Sequence, residues 1–189
     1  MDKDAVLDIF KETKALLSGH FKLSSGLHSA EYLQCALVLQ YPDIACRLGT
    51  AVADMFKEHA VTCVAGPALG GVIIAHEVAR ALGARCVFGE RQDGKMALRR
   101  GFKVGPGDRV LVVEDVVTTG GSAKELLEVI KNSGAEIAGV GTIVDRSPGN
   151  IELGYDIKSL IKLEVQTFDP SRCPLCKEGL PLTKPGSRK

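Results

Sequence analysis

Short apolar runs alternate with segments of helical periodicity along most of this chain. The runs at residues 61–65, 84–88, 109–113 and 136–145 are β-branched and apolar, which is typical of strands buried in a parallel sheet. The segments between several of these runs carry apolar residues every three to four positions, as amphipathic helices do. The alternation predicts an α/β fold with an open, mostly parallel twisted sheet flanked by helices.

The helical segments have recognisable ends. The spacing predicts helices over residues 3–17, 42–59, 72–82 and from an N-cap at Ser122 to the stop at Gly134. Residues 19–35 mix glycine, serine and histidine with apolar alternation, which predicts brief strands around a turn. Residues 151–168 alternate enough for one or two edge strands.

Composition limits the possible classes of protein. With 189 residues and 45% hydrophobic content, the chain can bury one core, so we expect a single domain over 1–168 and a tail rich in proline, glycine and charge over 169–189. The net charge of +1 argues against a nucleic-acid partner. No apolar run is long enough to span a membrane, and the N-terminus lacks a signal-like pattern, so we expect a cytoplasmic protein without a membrane partner.

The stretch RVLVVEDVVTTGGS, residues 109–122, organises the chain. We expect its strand to end near Glu114, which leaves Glu114 and Asp115 at the carboxyl edge of the sheet, where open α/β sheets bind ligands. An ordinary strand-loop-helix turn would explain the glycines, but two acids directly after a buried strand are costly unless something binds them. The threonines and glycines that follow can curl their backbone N–H groups around an anion at a helix N-terminus.

Two further segments bear on anion binding. The glycine-rich loop at 66–71 also joins a strand to a helix, but its glycine spacing is not that of a dinucleotide-binding loop. Residues 89–102 carry four basic residues without helical or strand periodicity, which indicates a basic loop, with a solvated hairpin as the alternative. The same segment matches the glycine and lysine spacing of a nucleotide P-loop, but Met96 stands where serine or threonine would hold magnesium.

VVEDVVTTGGS resembles the phosphoribosyl-diphosphate (PRPP) motif of type I phosphoribosyltransferases. The segment GHFKLSSGLHSAEYLQC is similar to the substrate hood of orotate phosphoribosyltransferases within that group. The resemblance covers about residues 15–150. It implies the type I phosphoribosyltransferase fold, with a small N-terminal hood at about 19–40 and a core at about 42–146.

The resemblance also implies roles for individual residues. Glu114 and Asp115 would bind the ribose hydroxyls and face the developing positive charge of the reaction. The loop residues that would hold the 5-phosphate of PRPP are Thr118, Thr119, Gly120, Gly121 and Ser122. Val116 and Val117 would also contact PRPP. Arg91 and Lys95 would reach the diphosphate from a partner subunit of a homodimer, so that the active site is shared.

Orotate would contact four residues by the same resemblance, namely Tyr32, Leu33, Thr118 and Arg146. A half-buried hood aromatic is the alternative for Tyr32, and a salt bridge to Asp145 or a neighbour is the alternative for Arg146. The chain departs from some family members, which have lysine in place of Ser24 and Gly70 and a loop histidine in place of Ala97. The diphosphate contacts are therefore expected to rest on the backbone, Arg91 and Lys95.

The expected activity is transfer of ribose 5-phosphate from PRPP to orotate, giving orotidine 5'-phosphate and diphosphate in pyrimidine biosynthesis. Mg²⁺ would arrive with PRPP, so no metal site made only of protein ligands is implied. A purine-directed phosphoribosyltransferase and a non-catalytic PRPP-sensing regulator remain as alternatives.

The tail contains Cys173-Pro-Leu-Cys176, which is half of a zinc site by spacing. With no second pair nearby in the sequence, we expect a zinc site there to need a partner chain or the distant Cys35. A redox disulfide is the other alternative, although such a motif belongs between a strand and a helix. The remaining cysteines in apolar segments are expected to be reduced and to pack as small hydrophobic residues.

Overall fold

The structure is a computed structural model and describes residues 1–23, 25–147, 149 and 151–185. The helices are α1 (Lys3–Glu12), α2 (Ala36–Leu39), α3 (Pro42–Asp54), α4 (Gly70–Leu82), α5 (Gly121–Asn132) and α6 (Pro174–Lys177), with 3₁₀ turns at Lys57–His59 and Pro170–Arg172. The strands are β1 (Leu16–Lys22), β2 (His28–Leu33), β3 (Cys63–Pro67), β4 (Arg85–Gln92), β5 (Lys95–Leu98), β6 (Arg109–Val117), β7 (Glu136–Asp145), β8 (Ile157–Lys162), β9 (Thr167–Phe168) and β10 (Leu182–Thr183). Among the described residues, no helix is both long and apolar enough to cross a membrane.

A six-stranded sheet in the order β5-β4-β3-β6-β7-β8 forms the core. Its pairs are parallel except for β4 with β5, which confirms the predicted mostly parallel sheet. Because parallel strands point the same way, the carboxyl ends of β3, β6 and β7 meet at one edge. That edge carries both glycine-containing loops.

Strand β6 is buried on both faces of this sheet. Val110 and Val112 pack with Leu126 and Ile130 of α5, whereas Leu111 and Val113 belong to the cluster that contains α1, α3 and α4. Successive side chains of a strand point to opposite faces, so this continuous apolar run is what a strand between two helical layers requires. The helices therefore cover both faces of the sheet.

A second sheet, in the order β10-β1-β2-β9, forms the hood. Strands β1 and β2 are an antiparallel pair, as the sequence predicted for residues 19–35. The C-terminal segment adds a strand at each edge: β9, just before the tail, pairs with β2 at His28 and Phe168, and β10 pairs with β1 at His20 and Leu182. The C-terminal segment thus packs on the hood.

Several predicted boundaries were wrong. Helix α1 ends at Glu12 rather than at residue 17, because Lys14 takes a positive φ of 54° and Leu16 and Leu17 then pair with β2. Helix α3 ends at Asp54, short of residue 59, and a separate 3₁₀ turn follows it.

Strand β6 continues to Val117, because residues beyond Glu114 still pair with β7; Val117 stands opposite Asp145. Helix α5 begins at Gly121 with Gly120 as its N-cap, at a φ of 72°. Ser122 is therefore inside the helix and is not the cap that we predicted. A positive φ strongly favours glycine, which explains the residue type at position 120.

The basic segment is the largest local correction. Its first part is a hairpin in which Gly89 to Gln92 pair with Leu98 to Lys95, not an unpatterned loop. The turn residues Asp93 and Gly94 have φ values of 50° and 79°. Asp-Gly between two strands is a strong hairpin signal, so the segment forms the hairpin that we gave as the alternative to a basic loop.

Candidate active site

A cavity of about 810 Å³ opens between the carboxyl edge of the core sheet and the hood. The core side contributes Asp115, Val116, Thr118, Thr119, Arg146, Ser147 and Gly149, and the hood side contributes Lys22, Leu23, Ser25, Leu27, Tyr32, Leu33, Gln34 and Cys35. Glu164, Val165, Thr167, Lys184 and Pro185 close it from the C-terminal segment. The cavity lies where an open α/β sheet is expected to bind its ligand.

The two neighbouring carboxylates differ in position. Asp115 lines the cavity, whereas Glu114 is not among the described lining residues. Side chains alternate along β6, so the two carboxylates leave opposite faces of the strand. Burial, and secondarily the charge of Asp115, raises the pKa of Glu114 to about 8. Burial also raises the pKa of Asp115. A cation, or hydroxyl groups that replace the hydrogen bonds lost from water, would therefore stabilise the charged form of both carboxyl groups.

The loop after β6 holds part of the predicted anion site. Thr118 and Thr119 are exposed and line the cavity, and α5 begins two residues later. Gly120, Gly121 and Ser122 lie at the start of that helix, where backbone N–H groups are unpaired with the helix itself. The positive end of the helix dipole therefore lies beside the cavity.

The second glycine-containing loop lies next to Asp115. It joins β3 to α4 and contains a cis peptide between Ala68 and Leu69. A Cβ added to Gly70 would lie 2.5 Å from Asp115 Oδ1, and one added to Gly71 would lie 2.9 Å from the carbonyl oxygen of Val113. The absence of side chains lets the loop backbone approach both the carboxylate and strand β6.

Arg146 extends from the end of β7 into the cavity. Its backbone N–H donates to the carbonyl oxygen of Val117 over 2.8 Å, which fixes the chain at this point. Its Nε is buried and has no hydrogen-bond partner in the described residues, which include Asp145. Burial lowers the pKa of the Arg146 guanidinium. Within the part of the chain that the structure describes, the predicted alternative of a salt bridge to Asp145 is absent.

The predicted base-flanking residues face the same cavity. Tyr32 and Leu33 both line it, and the Tyr32 ring lies 5.7 Å from that of Phe21, centroid to centroid. Ser24 lies outside the described residues. Cys35 also lines the cavity, and burial raises the pKa of its thiol, which therefore stays protonated.

Arg91 and Lys95 do not line this cavity. The Arg91 guanidinium is 2.9 Å from Glu125 Oε1 on α5 and also donates to the Gly94 carbonyl. Lys95 is exposed at the start of β5. The structure therefore places both residues on a hairpin outside the cavity of their own chain.

Sequence reasoning missed the lysines of the cavity. Lys22 lies at the end of β1, and Lys184 follows β10. The sequence could have placed Lys22 at the cavity, because Lys22 follows buried Phe21 and therefore points to the opposite face of a strand that ends at the hood turn. It could not have placed Lys184 there, since a charged residue in a tail rich in proline and glycine is most simply explained as solvated.

The tail cysteines have neighbours that the sequence did not reveal. We expected completion of a zinc site to need a partner chain or Cys35. Instead, the ligand atoms of His20, His28, Cys173 and Cys176 all lie within 4.8 Å of one another. The two histidines come from the hood, about 150 positions earlier in the chain.

The comparisons with known proteins agree with this architecture. The model of the phosphoribosyl transferase domain matches residues 38–172. The orotate phosphoribosyltransferase of Caldicellulosiruptor bescii is 56% identical over 189 residues, which is all of both chains. The crystal structure of orotate phosphoribosyltransferase from Aeropyrum pernix aligns with a TM-score of 0.71 at 26% identity and covers 84% of this chain and 94% of that one.

A third match shows the fold alone. It is the Mycobacterium tuberculosis H37Rv orotate phosphoribosyltransferase in complex with 5-phospho-alpha-D-ribosyl 1-diphosphate, with a TM-score of 0.65 at 21% identity, covering 86% of this chain and 92% of that one. The sheet order and its edge cavity define a phosphoribosyltransferase. The chain belongs to the phosphoribosyltransferase family and, within it, to the orotate phosphoribosyltransferases.

Proposed function

We propose that this enzyme transfers ribose 5-phosphate from PRPP to a ring nitrogen of orotate, releasing diphosphate and orotidine 5'-phosphate. The observation that carries the proposal is Arg146, which is partly buried, forms no ion pair with the described residues and lines the same cavity as Asp115. An anionic heterocycle supplies the acceptors that such a guanidinium needs, which a neutral purine does not do equally well. The identity of 56% to a relative named orotate phosphoribosyltransferase supports the same substrate.

The PRPP end of the cavity is built from backbone and hydroxyl groups. Thr118 and Thr119 and the first residues of α5 would hold the 5-phosphate, because a helix N-terminus supplies free N–H donors and a favourable dipole. The loop at Gly70 and Gly71 would approach the diphosphate through its backbone. Asp115 would bind the ribose hydroxyls, with Glu114 placed behind it.

The Asp115 carboxylate would act electrostatically. As diphosphate leaves, the ribose gains positive charge, and a fixed negative group beside it stabilises the transition state more than the ground state. This role needs no protein nucleophile. Mg²⁺ bound to PRPP would neutralise charge on the departing diphosphate.

The base would lie between the hood and the end of β7. Arg146 would donate to the orotate carboxylate or imide edge, and Tyr32 and Leu33 would cover the ring. Burial of Arg146 makes each of these hydrogen bonds stronger than it would be in water. Thr118 lines the same cavity and would contact both PRPP and orotate.

The remaining charges on the diphosphate would be met by a second subunit. Arg91 and Lys95 lie on a hairpin that does not reach the cavity of its own chain, which supports donation to a neighbouring chain in a homodimer. Arg91 would then exchange its partner Glu125 for the diphosphate. The added positive charge would compensate for the glycine at position 70.

The test is a product analysis with PRPP, Mg²⁺ and orotate. We expect orotidine 5'-phosphate and diphosphate in equal amounts from the native chain. Asp115→Asn keeps the size but removes the charge, and should lower turnover by about two to four orders of magnitude. Asp54→Asn, at the exposed end of α3, is the matched control and should leave turnover unchanged. Native turnover in Asp115→Asn would exclude the proposed role of this carboxylate.

A further inference from the structure

Two histidines and two cysteines meet on the hood, where the tail crosses it. His20 lies on β1 and His28 on β2, and Cys173 and Cys176 bracket the first turn of α6. His28 stands opposite Lys22, so His20, two residues before Lys22, is its diagonal neighbour across the hairpin. His20, His28 and Cys173 are buried, and Cys176 is exposed.

Four of the six distances between the ligand atoms are close to those of a tetrahedral site, and the other two are at most 4.8 Å. His28 Nδ1 lies 3.3 Å from Cys176 Sγ, and His20 Nε2 lies 3.6 Å and 3.7 Å from Cys173 Sγ and Cys176 Sγ. The two imidazole nitrogens are 2.9 Å apart. Around a tetrahedral zinc ion with its usual bond lengths, S···N edges are about 3.6 Å and N···N edges about 3.3 Å. The observed distances agree to within a few tenths of an ångström.

The hydrogen bonds of His20 orient its ring for coordination. Its Nδ1 lies 2.9 Å from the carbonyl oxygen of Leu180, so the ring places its proton there and directs the Nε2 lone pair at the cluster. Metal-binding histidines commonly donate their second nitrogen to a carbonyl in this way. The Leu180 carbonyl therefore acts as an outer-shell partner.

The charge balance favours a divalent soft or borderline cation. Binding requires the two thiols to lose their protons, so two thiolates and one dication give a neutral site, which suits a mostly buried location. Two sulfurs and two nitrogens in a tetrahedron select zinc, whereas magnesium requires oxygen ligands. The site is thus distinct in chemistry from the Mg²⁺ that accompanies PRPP.

We propose that His20, His28, Cys173 and Cys176 form a structural Zn²⁺ site that fastens the C-terminal tail onto the hood. The pairings of the tail support this assignment, because β9 and β10 lie on opposite edges of the hairpin and the cysteines lie between them along the chain. Lys184, which lines the cavity, follows β10 directly. The zinc ion therefore holds in place a segment that helps to close the active site.

Metal analysis of the reduced full-length chain tests the proposal. After incubation with Zn²⁺ and extensive dialysis, we expect about one Zn²⁺ per chain by mass spectrometry. Replacement with Co²⁺ should give the intense visible bands of tetrahedral cobalt together with thiolate charge-transfer bands. The double variant Cys173→Ser, Cys176→Ser should lose both signals, with less than about a tenth of the zinc retained. Cys46→Ser, at a cysteine on α3, should retain both.

Three results would overturn the proposal. The first is a folded, reduced native chain that retains no more zinc than the double variant. The cluster would then be a metal-free pair of histidines joined by a hydrogen bond. The second is a cobalt spectrum without thiolate bands. The third is a Cys173–Cys176 disulfide in protein purified without oxygen. If the double variant does not fold, the cobalt spectrum of the native chain still decides between a thiolate site and none.

Discussion

The carboxylate of Asp115 lies directly against the backbone of Gly70: a Cβ at position 70 would stand 2.5 Å from Asp115 Oδ1. The contact joins the two loops of the active site, because Asp115 lies two residues before the end of β6 and Gly70 begins α4. Any side chain at position 70 must displace the carboxylate.

Gly70→Ala should therefore reduce activity more than stability. The atom that must move is the end of a side chain, so we expect a small change in Tm but a loss of about tenfold to a hundredfold in kcat/KM for PRPP. Gly71→Ala is the comparison, since its Cβ would meet the carbonyl oxygen of Val113 and should lower Tm clearly. Full activity in Gly70→Ala would show that the position of Asp115 is not critical.

Arg146→Ala should weaken the binding of orotate much more than the binding of PRPP. A lost charge-assisted hydrogen bond costs about 1.5–3 kcal/mol, which corresponds to a rise in KM for orotate of about tenfold to a hundredfold. Arg146→Lys keeps the charge but loses the planar fork, so its effect should be intermediate. Steady-state kinetics with each substrate varied would measure this, with exposed Arg47→Ala as the control. Equal losses for both substrates would contradict the assignment.

Glu114 should make stability depend on pH. Its pKa is about 8 in the folded chain and near 4.5 when exposed, so the folded state holds a proton that the unfolded state releases between these values. Stability should fall as pH rises through this window and then level off above pH 8 or so, by at most about 1.4 kcal/mol per pH unit.

Glu114→Gln removes this titration. The variant should therefore gain stability relative to the native chain as pH rises from about 5 to about 8. Denaturant unfolding at several pH values, without ligands, would measure the difference. Glu128→Gln, at an exposed position on α5, should show no such trend. A difference for Glu114→Gln that is the same at every pH would contradict the buried, protonated carboxyl.

The sequence predicted the core sheet well, because its strands are buried on both faces and their apolar runs are unambiguous. Strand β7 was predicted with the bounds that the structure has. The motif at Glu114 to Ser122 also indicated the site, since acids after a buried strand need a partner. The hairpin at Asp93 was only the alternative prediction for its segment, because its charged strands lack apolar alternation.

The contacts of the tail could not be predicted for a different reason. Strand β10 of the tail and strand β9 just before it are two residues each, too short for a periodic signal, and they form only because the hood supplies their partners. The same holds for the Cys173 and Cys176 pair, whose histidine neighbours are distant in the sequence. Long-range pairing of this kind is decided by tertiary packing rather than by local propensity.

A shared active site predicts that two inactive variants restore each other. Lys95→Ala and Asp115→Asn homodimers should each be nearly inactive, but a mixed dimer combines an intact hairpin with an intact carboxylate at one of its two sites. Dissociating and reassociating the two variants together should recover a substantial part of native activity. If mixed dimers form, as native mass spectrometry can establish, and no activity returns, Lys95 acts within its own chain or not at all.

The most direct test of the assigned activity is a comparison of bases at fixed PRPP and Mg²⁺. We would measure kcat/KM of the native chain for orotate, hypoxanthine, guanine, xanthine and adenine. Because Arg146 offers a partly buried cation to the base, orotate should exceed every purine in kcat/KM by about two orders of magnitude or more. A purine turned over as well as orotate, or no turnover of any base, would contradict the account.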